Sequence, residues 1–318
     1  MSRTVTMLEK VNRYLEFRRG LGYRLLTEGR LLQQFGTFAD AAGHHGPLTT
    51  ELALRWARLP EKGDRLYWAR RLEVVRCFAK HLAAVELRTQ VPLRGLLGRA
   101  HRRTTPHIYT EAEMAALLAA AKQLDPRTGL RPRTYATLIG LLVCTGLRIS
   151  EALRLTSADV DLGRALLTIR QTKFCKSRFV PIHPTTVAPL RAYARARDRL
   201  AANSHCDRFF VSDNGRQLAY ETVRSVFRKL CNSQQITGVG PRRPRLHDIR
   251  HTFACRCVER WYATGINLDY AVSALSVYLG HVKVSDTYWY LTATPSLLAR
   301  AADRFERLVW PSAGEVQP

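Results

Sequence analysis

Four residues near the C-terminal end of the sequence have side chains that suit chemistry on an anionic group: His247, Arg250, His281 and Tyr290. The apolar spacing that follows Arg250 predicts a helix. His247 and Arg250 are three residues apart, so on this helix their side chains share one face. A cation and an imidazole on one face suit an anionic ligand. A tyrosine hydroxyl, with its usual pKa of about 10, is a poor nucleophile at neutral pH, so a reactive Tyr290 would need nearby cations and a proton acceptor. His247, Arg250 and His281 could supply both.

The segment between His281 and Tyr290 must bend if these two side chains are to meet. They lie nine residues apart, and one unbroken helix would point them in opposite directions. Ser285 is a good N-cap for a new short helix, with Asp286 favourable in its first turn. Tyr288 is a rival nucleophile. A rotation of about 200° separates it from Tyr290 on a helix, so only one of the two can face the site.

Arg148 lies just after Gly146, where the chain leaves a nearly apolar segment that is predicted to be a buried helix ending at this glycine. An arginine in such a place needs an anion. One interpretation is a buried ion pair with Glu151 in the next helix. The other is that Arg148 and Arg250 are two planar forks that hold the non-bridging oxygens of one phosphate.

The order and spacing of these motifs resemble the tyrosine recombinase family, which includes phage integrases and Xer-like enzymes. The resemblance covers roughly residues 108 to 300 and extends more weakly over the N-terminal part. The motifs are Thr-Gly-Leu-Arg-Ile-Ser-Glu-Ala-Leu at 145 to 153, Leu-His-Asp-Ile-Arg-His at 246 to 251, Leu-Gly-His at 279 to 281 and Asp-Thr-Tyr-Trp-Tyr-Leu at 286 to 291.

The resemblance implies a DNA strand-exchange enzyme in which Tyr290 attacks a phosphodiester and leaves a 3′-phosphotyrosine and a free 5′-hydroxyl. The family's nine-residue spacing after the histidine selects Tyr290 over Tyr288. Arginines and histidines would stabilise the transition-state charge that metals stabilise in many nucleases. No carboxylate cluster with two-metal character stands out, so no metal, ATP or other cofactor is expected. The implied catalytic set is Arg148, Lys173, His247, Arg250, His281 and Tyr290, with Glu151 orienting Arg148.

The stretch from 172 to 181 resembles the family's hairpin that carries a catalytic lysine. The family more often has glycine on either side of that lysine, where this chain has Thr172 and Phe174. Alignment on Arg178 and the Val-Pro pair at 180 and 181 selects Lys173 over Lys176. Lys173 would then protonate the leaving 5′-oxygen; alternatively, it is an exposed lysine that contacts backbone phosphate.

The composition favours a nucleic-acid partner. The 318 residues include 50 Lys plus Arg against 26 Asp plus Glu, a formal charge of +24, and such an excess repels itself unless a polyanion neutralises it. A basic solvated surface is the alternative. Seven scattered cysteines without a Cys-x-x-Cys pair argue against a disulfide framework and a zinc site. The absence of a long apolar window and of a signal-peptide pattern predicts no membrane contact and a cytoplasmic place, at the bacterial nucleoid.

Apolar periodicity predicts a mainly α chain with a small antiparallel sheet. Four amphipathic helices predict an N-terminal bundle, which corresponds to the family's SAM-like core-binding domain. A capping box at Thr110 and Glu113 opens the second domain. The predicted divisions are a DNA-binding domain at 1–93, a basic linker at 94–107, a catalytic domain at 108–300 and a tail at 301–318.

The family resemblance also implies the partners. Members act as tetramers on two DNA duplexes, and accessory or sister recombinases are further candidate partners of this chain. The tail either packs on its own domain or is donated to a neighbouring protomer. A type IB topoisomerase and a non-catalytic DNA-binding protein remain alternatives, as do the roles of mobile-element recombinase and chromosomal resolvase. The candidate DNA contacts are Arg70, Arg71, Arg102, Arg103, Lys176 and Arg178.

Overall fold

The computed structural model describes residues 5–61, 63–100, 105–170, 177–202, 205–238, 242–281 and 283–288, together with the single helical positions 299, 302 and 306. The chain divides into two compact units, Met1–Thr104 and Thr105–Pro318. It is mainly helical with one small antiparallel sheet, which confirms the predicted fold class. None of the helices in the described ranges is long and apolar enough to cross a membrane.

Four helices form the first unit, as the apolar spacing predicts. Thr6, Thr49 and Asp64 cap three of them, because each side chain accepts a hydrogen bond from a first-turn N–H that the helix itself leaves unpaired. In the core, the rings of Phe35 and Trp56 meet edge to face with centroids 5.4 Å apart. The helices are α1 (Met7–Gly20), α2 (Leu26–Ala41), α3 (Thr50–Arg58) and α4 (Arg65–Leu82).

The chain that follows α4 folds back along this helix. Arg76 donates from Nε to the Pro92 carbonyl at 3.0 Å, and Arg70 donates from Nε to the Ala100 carbonyl at 3.2 Å. Leu97, between these two points, packs against the core of the unit. The described part of the predicted linker, 94–100, therefore lies on the first unit.

The second unit consists of helices around a short sheet. The sheet has three antiparallel strands that pair in chain order, and Thr168 on the second strand pairs with Phe179 on the third. A 3₁₀ turn, Ser157–Asp159, precedes the sheet. The elements are α5 (Glu111–Lys122), α6 (Leu130–Thr145), α7 (Ile149–Ala152), β1 (Val160–Asp161), β2 (Leu166–Ile169), β3 (Arg178–Pro181), α8 (Pro184–Leu200), α9 (Tyr220–Ser233), α10 (Leu246–Ala263), α11 (Leu268–Leu279) and α12 (Ser285–Tyr288).

Helix α6 is central in this unit, and its position explains its nearly continuous apolar sequence. It packs against α5, α8 and α10. It ends at Gly146, whose φ of 60° lies in the left-handed region that favours glycine. A Cβ atom at this position would lie 2.4 Å from Cδ1 of Phe253 on α10. Glycine therefore permits the close approach that places the residues after α6 beside α10.

Helix α11 was not predicted, and it forms a separate small core with α10. Cys255 and Val258 on α10 pack with Leu275 and Leu279 on α11. Gly280, with a φ of 67°, ends α11, and α12 begins at Ser285. The predicted interruption of the helix is therefore confirmed, and Ser285 is the first helical residue after it.

Candidate active site

Arg148 and Glu151 are bound to each other at the start of α7. The backbone N–H of Arg148 donates to Oε2 of Glu151 at 3.0 Å, and Nη1 of Arg148 donates to Oε1 at 2.9 Å. The carboxylate thus caps the short helix and also fixes the guanidinium group. This contact agrees with both interpretations of Arg148, because an arginine held by a carboxylate can still present its other N–H donors to a ligand.

Arg178 completes the surroundings of the Glu151 carboxylate. Its Nη1 donates to Oε1 at 3.1 Å and its Nη2 to Oε2 at 3.0 Å, so the two groups form a parallel pair of charge-assisted bonds. Burial alone would raise the pKa of Glu151, but the hydrogen bonds and charge of Arg178, together with those of Arg148, outweigh it and lower the pKa to about 2. Glu151 is therefore ionised at neutral pH.

The C-terminus of α11 binds three arginines on three successive carbonyl oxygens. Carbonyls in the last turn of a helix lack partners within the helix and form the negative end of its dipole, so guanidinium groups suit them. The structure thus brings Arg148 and Arg250 to adjacent acceptors. The contacts are Arg178 Nε to Tyr278 at 2.8 Å, Arg250 Nη2 to Leu279 at 2.8 Å and Arg148 Nη2 to Gly280 at 3.3 Å.

The two arginines expected to bind phosphate differ in their exposure. Arg250 is 2% exposed, and its Nη1 also donates to the Gly146 carbonyl at 2.9 Å. The side chain of Arg148 is 33% exposed. Arg148 therefore reaches the surface, whereas Arg250 supplies positive charge from beneath it.

His247 lies one turn before Arg250 on α10, as its spacing predicts. The residue is exposed at the surface, but the protein around its imidazole excludes part of the water, and this desolvation lowers the pKa of the ring. The charges of Arg250 and Arg245 lower the pKa further against the opposing charge of Asp248. Its ring meets that of His251 edge to face, with centroids 4.9 Å apart. The neutral imidazole is thus favoured, and this form can accept a proton.

Asp248, for which no role was predicted, fixes the beginning of α10. It is buried and accepts hydrogen bonds from the backbone N–H of Arg245 at 2.9 Å and from Nη2 of the same residue at 2.7 Å. An acidic residue three positions after the N-cap, here Arg245, is typical of a helix start, and this spacing is the sequence signal for the role of Asp248. The contact orients the first turn of the helix that carries His247.

His281 lies in the turn between α11 and α12. Its backbone N–H donates to the Ser276 carbonyl at 2.9 Å, and its Nδ1 lies 2.7 Å from the hydroxyl oxygen of the buried Thr287. Thr287 was not predicted to have a role. Its hydrogen bond connects α12 to the imidazole and orients the other ring nitrogen away from α12.

Several predicted residues lie outside the described part of the chain. The proposed nucleophile and the hairpin lysines are among them, so their assignments stay predictions. The backbone of Tyr288 forms the last position of α12. The residues outside are Tyr290, Lys173, Lys176, Arg102 and Arg103.

Two of the predicted DNA contacts have partners within their own unit. Arg71 is 6% exposed; its guanidinium carbon lies 3.7 Å from the centroid of the Trp56 ring, and its Nη2 donates to the Trp56 carbonyl at 2.9 Å. Arg178 bonds Glu151 and the end of α11. Both arginines bind within their own unit rather than on its surface. Arg70 is exposed, although its Nε bonds the Ala100 carbonyl.

Known proteins are similar to this chain in sequence and in fold. The phage integrase family model matches residues 107–296. An integrase/recombinase named y4rB, from Sinorhizobium fredii, is 42% identical over 95% of this chain and 98% of the relative. The tyrosine recombinase XerC of Chlamydia trachomatis serovar L2 is 32% identical over 74% of this chain and 69% of the relative. The solved structure of the Tn1549 transposon integrase in complex with transposon right end DNA has a TM-score of 0.65 at 17% identity, over 96% of this chain and 100% of that one.

The match covers the residues of the site as well as the general fold. Arg148, His247, Arg250 and His281 all lie inside the region that the family model matches. The similarity to y4rB extends over nearly the whole chain, including the first unit. On these grounds the chain belongs to the phage integrase family and is a tyrosine-type site-specific recombinase.

Proposed function

We propose that the chain cuts and rejoins duplex DNA through a covalent bond between Tyr290 and the 3′ side of the cleaved strand. The tyrosine oxygen attacks phosphorus, the bond from phosphorus to the 5′-oxygen breaks, and the 5′-hydroxyl leaves with a proton. A 5′-hydroxyl reverses these steps in rejoining, so no external energy source is consumed. The observation that carries the proposal is the assembly of Arg148, Arg250 and His281 around the end of α11.

The charge of this assembly suits a phosphate in its transition state. Arg148, Arg178 and Arg250 bring three guanidinium groups, and Glu151 neutralises only one of them, so the cluster keeps a positive charge. A charge held by packed groups needs no reorganisation when the phosphorane-like transition state forms, and this preorganisation is the main source of its stabilising effect.

Proton transfer can be divided between two sides of the scissile phosphate. His247, whose depressed pKa favours the neutral ring, is suited to accept the tyrosine proton. Lys173, which the family resemblance assigns as general acid, would protonate the leaving 5′-oxygen. The proposed mechanism uses neither a metal nor ATP.

Duplex DNA is the proposed partner. The formal charge of +24 supports phosphate contacts over a long track, and the Tn1549 integrase of similar fold was solved with transposon DNA. Strand exchange between two duplexes requires four cleavages, so we expect a homotetramer on paired sites. The similarity to the integrase/recombinase y4rB over nearly the full length supports a role in integration.

The first experiment identifies the DNA site and the nucleophile together. Cells that express the chain are denatured rapidly with detergent, the protein-linked DNA is sequenced, and the DNA-linked peptide is identified by mass spectrometry. We expect one recurrent DNA sequence joined to the peptide that contains Tyr290. Tyr290→Phe should form no adduct and keep its DNA affinity, because the exchange removes one hydroxyl and leaves the ring, while Tyr288→Phe should keep the adduct.

The same experiment separates the alternatives. Attachment to Tyr288, or an undiminished adduct in Tyr290→Phe, would contradict the assignment of the nucleophile. Relaxation of supercoiled plasmid by monomers, with no recombinant product on paired sites, would indicate a type IB topoisomerase. Specific binding without any adduct would indicate a non-catalytic DNA-binding protein.

A further inference from the structure

We infer that Arg178 is a positioning residue of the recombination site, which holds Glu151, and through it Arg148, in place to receive the scissile phosphate. The inference rests on the proposed function, because it concerns the same site. It assigns Arg178 a role distinct from a DNA contact: the side chain acts on Arg148 and on the turn that carries His281.

All three nitrogens of the Arg178 guanidinium group already donate hydrogen bonds within the protein. Its two Nη atoms bond the two oxygens of Glu151, and its Nε bonds the Tyr278 carbonyl at 2.8 Å. The side chain is 12% exposed. A phosphate would have to displace Glu151 to gain the same bidentate grip, and this would leave a buried carboxylate without its partner.

Glu151 depends on Arg178 for half of its hydrogen bonds. Each carboxylate oxygen accepts one bond from Arg178 and one from Arg148. When Arg178 is removed, each oxygen loses a donor inside a buried site, and the carboxylate has a weaker hold on Arg148. The other bond of the Arg148 guanidinium group, to Gly280, is longer at 3.3 Å and cannot fix the orientation alone.

Arg178 also joins three separate parts of the fold. It is the first residue of β3, it reaches Glu151 in α7, and it holds the last turn of α11. The backbone passes closely over it, since a Cβ at Gly280 would lie 2.7 Å from Nη1 of Arg178. One side chain thus fixes both Arg148 and the entry to the turn of His281.

The shape of the arginine is required as well as its charge. A lysine at position 178 would keep the charge but present a single ammonium group, which cannot make two parallel bonds to a carboxylate while also reaching a carbonyl. We therefore compare Arg178→Lys with Arg178→Gln. Arg197 on α8 offers a matched control, because it is 15% exposed and binds the Asp198 carboxylate and the Phe209 carbonyl.

The probe is a nicked duplex that carries the DNA sequence recovered from the trapped adduct. We expect Arg178→Gln to reduce the rate of adduct formation by about 100-fold, the loss that a displacement of about 1 Å in a catalytic group can cause, and Arg178→Lys to fall between Gln and wild type. DNA affinity and its salt dependence should stay at the wild-type values. Arg197→Gln should leave the rate unchanged once folding is matched by circular dichroism and melting temperature.

A second substrate distinguishes positioning from a general effect on folding. A methylphosphonate at the scissile position removes one negative charge, so it reduces the need for a correctly placed Arg148. Arg148→Ala and Arg178→Gln should therefore both recover activity on this substrate relative to the phosphate. Arg178→Lys, with its charge kept, should fold and allows the comparison even if Arg178→Gln gives little soluble protein.

Each other outcome would overturn the inference. A salt dependence that falls by about 0.9 log unit per log unit of salt in Arg178→Gln would show a direct phosphate contact. Wild-type rates in both Arg178 variants, or a rate loss that methylphosphonate does not relieve, would exclude action through Arg148. No adduct with wild-type protein would instead overturn the proposed function, and this inference with it.

Discussion

At the scale of single residues, the site is organised around one buried carboxylate. Glu151 accepts bonds from the backbone and side chain of Arg148 and from both Nη atoms of Arg178. A buried charge is tolerated only when it is fully paired, and these donors meet that condition. The anion therefore allows a cluster of guanidinium groups to gather where like charges would otherwise repel.

The depressed pKa of Glu151 predicts how stability should depend on pH. Its pKa falls from an ordinary value of 4.5 to about 2 on folding, so the ionised form stabilises the fold at pH values above 4.5 and this contribution is lost as pH falls from 4.5 to 2. The shift corresponds to about 3 kcal/mol. Urea unfolding of wild type and Glu151→Gln should differ by about this amount at neutral pH and converge near pH 2.

Glu221 provides the control for this prediction. It is exposed on α9 and pairs with Arg224 on the surface, where an ion pair contributes little. Glu221→Gln should match wild type across the whole pH range. A difference between wild type and Glu151→Gln that stayed constant from pH 7 to pH 2 would show that the charge of Glu151 is not the source of its stabilising effect.

At the scale of elements, the C-terminal end of α11 holds the arginines of the site together, and the sequence alone does not show this. Capping residues and apolar spacing predicted most helices and the break before Ser285, because these signals are local. The acceptors at Tyr278, Leu279 and Gly280 are backbone oxygens, which every residue type carries. The partners of these oxygens lie far away along the chain, so only the fold reveals them. The same reason explains why the sequence does not reveal the bonds of Arg178 within its own unit.

The end of α6 should tolerate no side chain. Gly146→Ala would place a residue with a positive φ against Phe253, with both backbone strain and a steric clash. We expect a loss of about 1 to 3 kcal/mol in unfolding free energy, together with a loss of adduct formation. Chemical denaturation and the nicked-duplex assay measure the two effects.

A second glycine on the same helix serves as the control. Gly140 lies inside α6, and the nearest atom to a Cβ there is Cδ2 of Leu118 at 3.8 Å. Gly140→Ala should leave stability unchanged or raise it by about 0.5 to 1 kcal/mol, because alanine favours a helix interior. Equal effects of the two substitutions would contradict the idea that the close approach of Gly146 to Phe253 is what brings α6 and α10 together.

The contact between α12 and His281 makes a further prediction. Thr287→Val keeps the shape of a buried side chain but removes the hydroxyl that lies 2.7 Å from Nδ1 of His281. The ring should lose its fixed orientation, and adduct formation should fall by about 10-fold or more with unchanged DNA affinity. Thr287→Ser, which restores the hydroxyl, should recover most of the rate. A similar loss in both variants would indicate packing instead of the hydrogen bond.

At the scale of the whole molecule, the excess of basic residues has two different uses. The exposed arginines contribute to a positive field that attracts DNA, whereas Arg71 and Arg178 bind groups inside their own units. The sequence alone does not distinguish the exposed arginines from the buried ones. The net charge of +24 therefore indicates the class of partner, and burial decides which residues can meet it.

Arg70 and Arg71 allow this division to be tested with adjacent residues. Arg70→Gln removes an exposed cation, so if Arg70 meets a phosphate, the dependence of log Kd on log salt should fall by about 0.9. Arg71→Gln should leave that dependence unchanged and instead lower the unfolding free energy by about 1 to 2 kcal/mol, because it removes a cation–π contact and a hydrogen bond at Trp56. Fluorescence anisotropy of the recovered DNA site over a range of KCl concentrations measures the first effect, and urea unfolding measures the second. A reduced salt dependence in Arg71→Gln without loss of stability would mean that its guanidinium group leaves Trp56 to meet DNA.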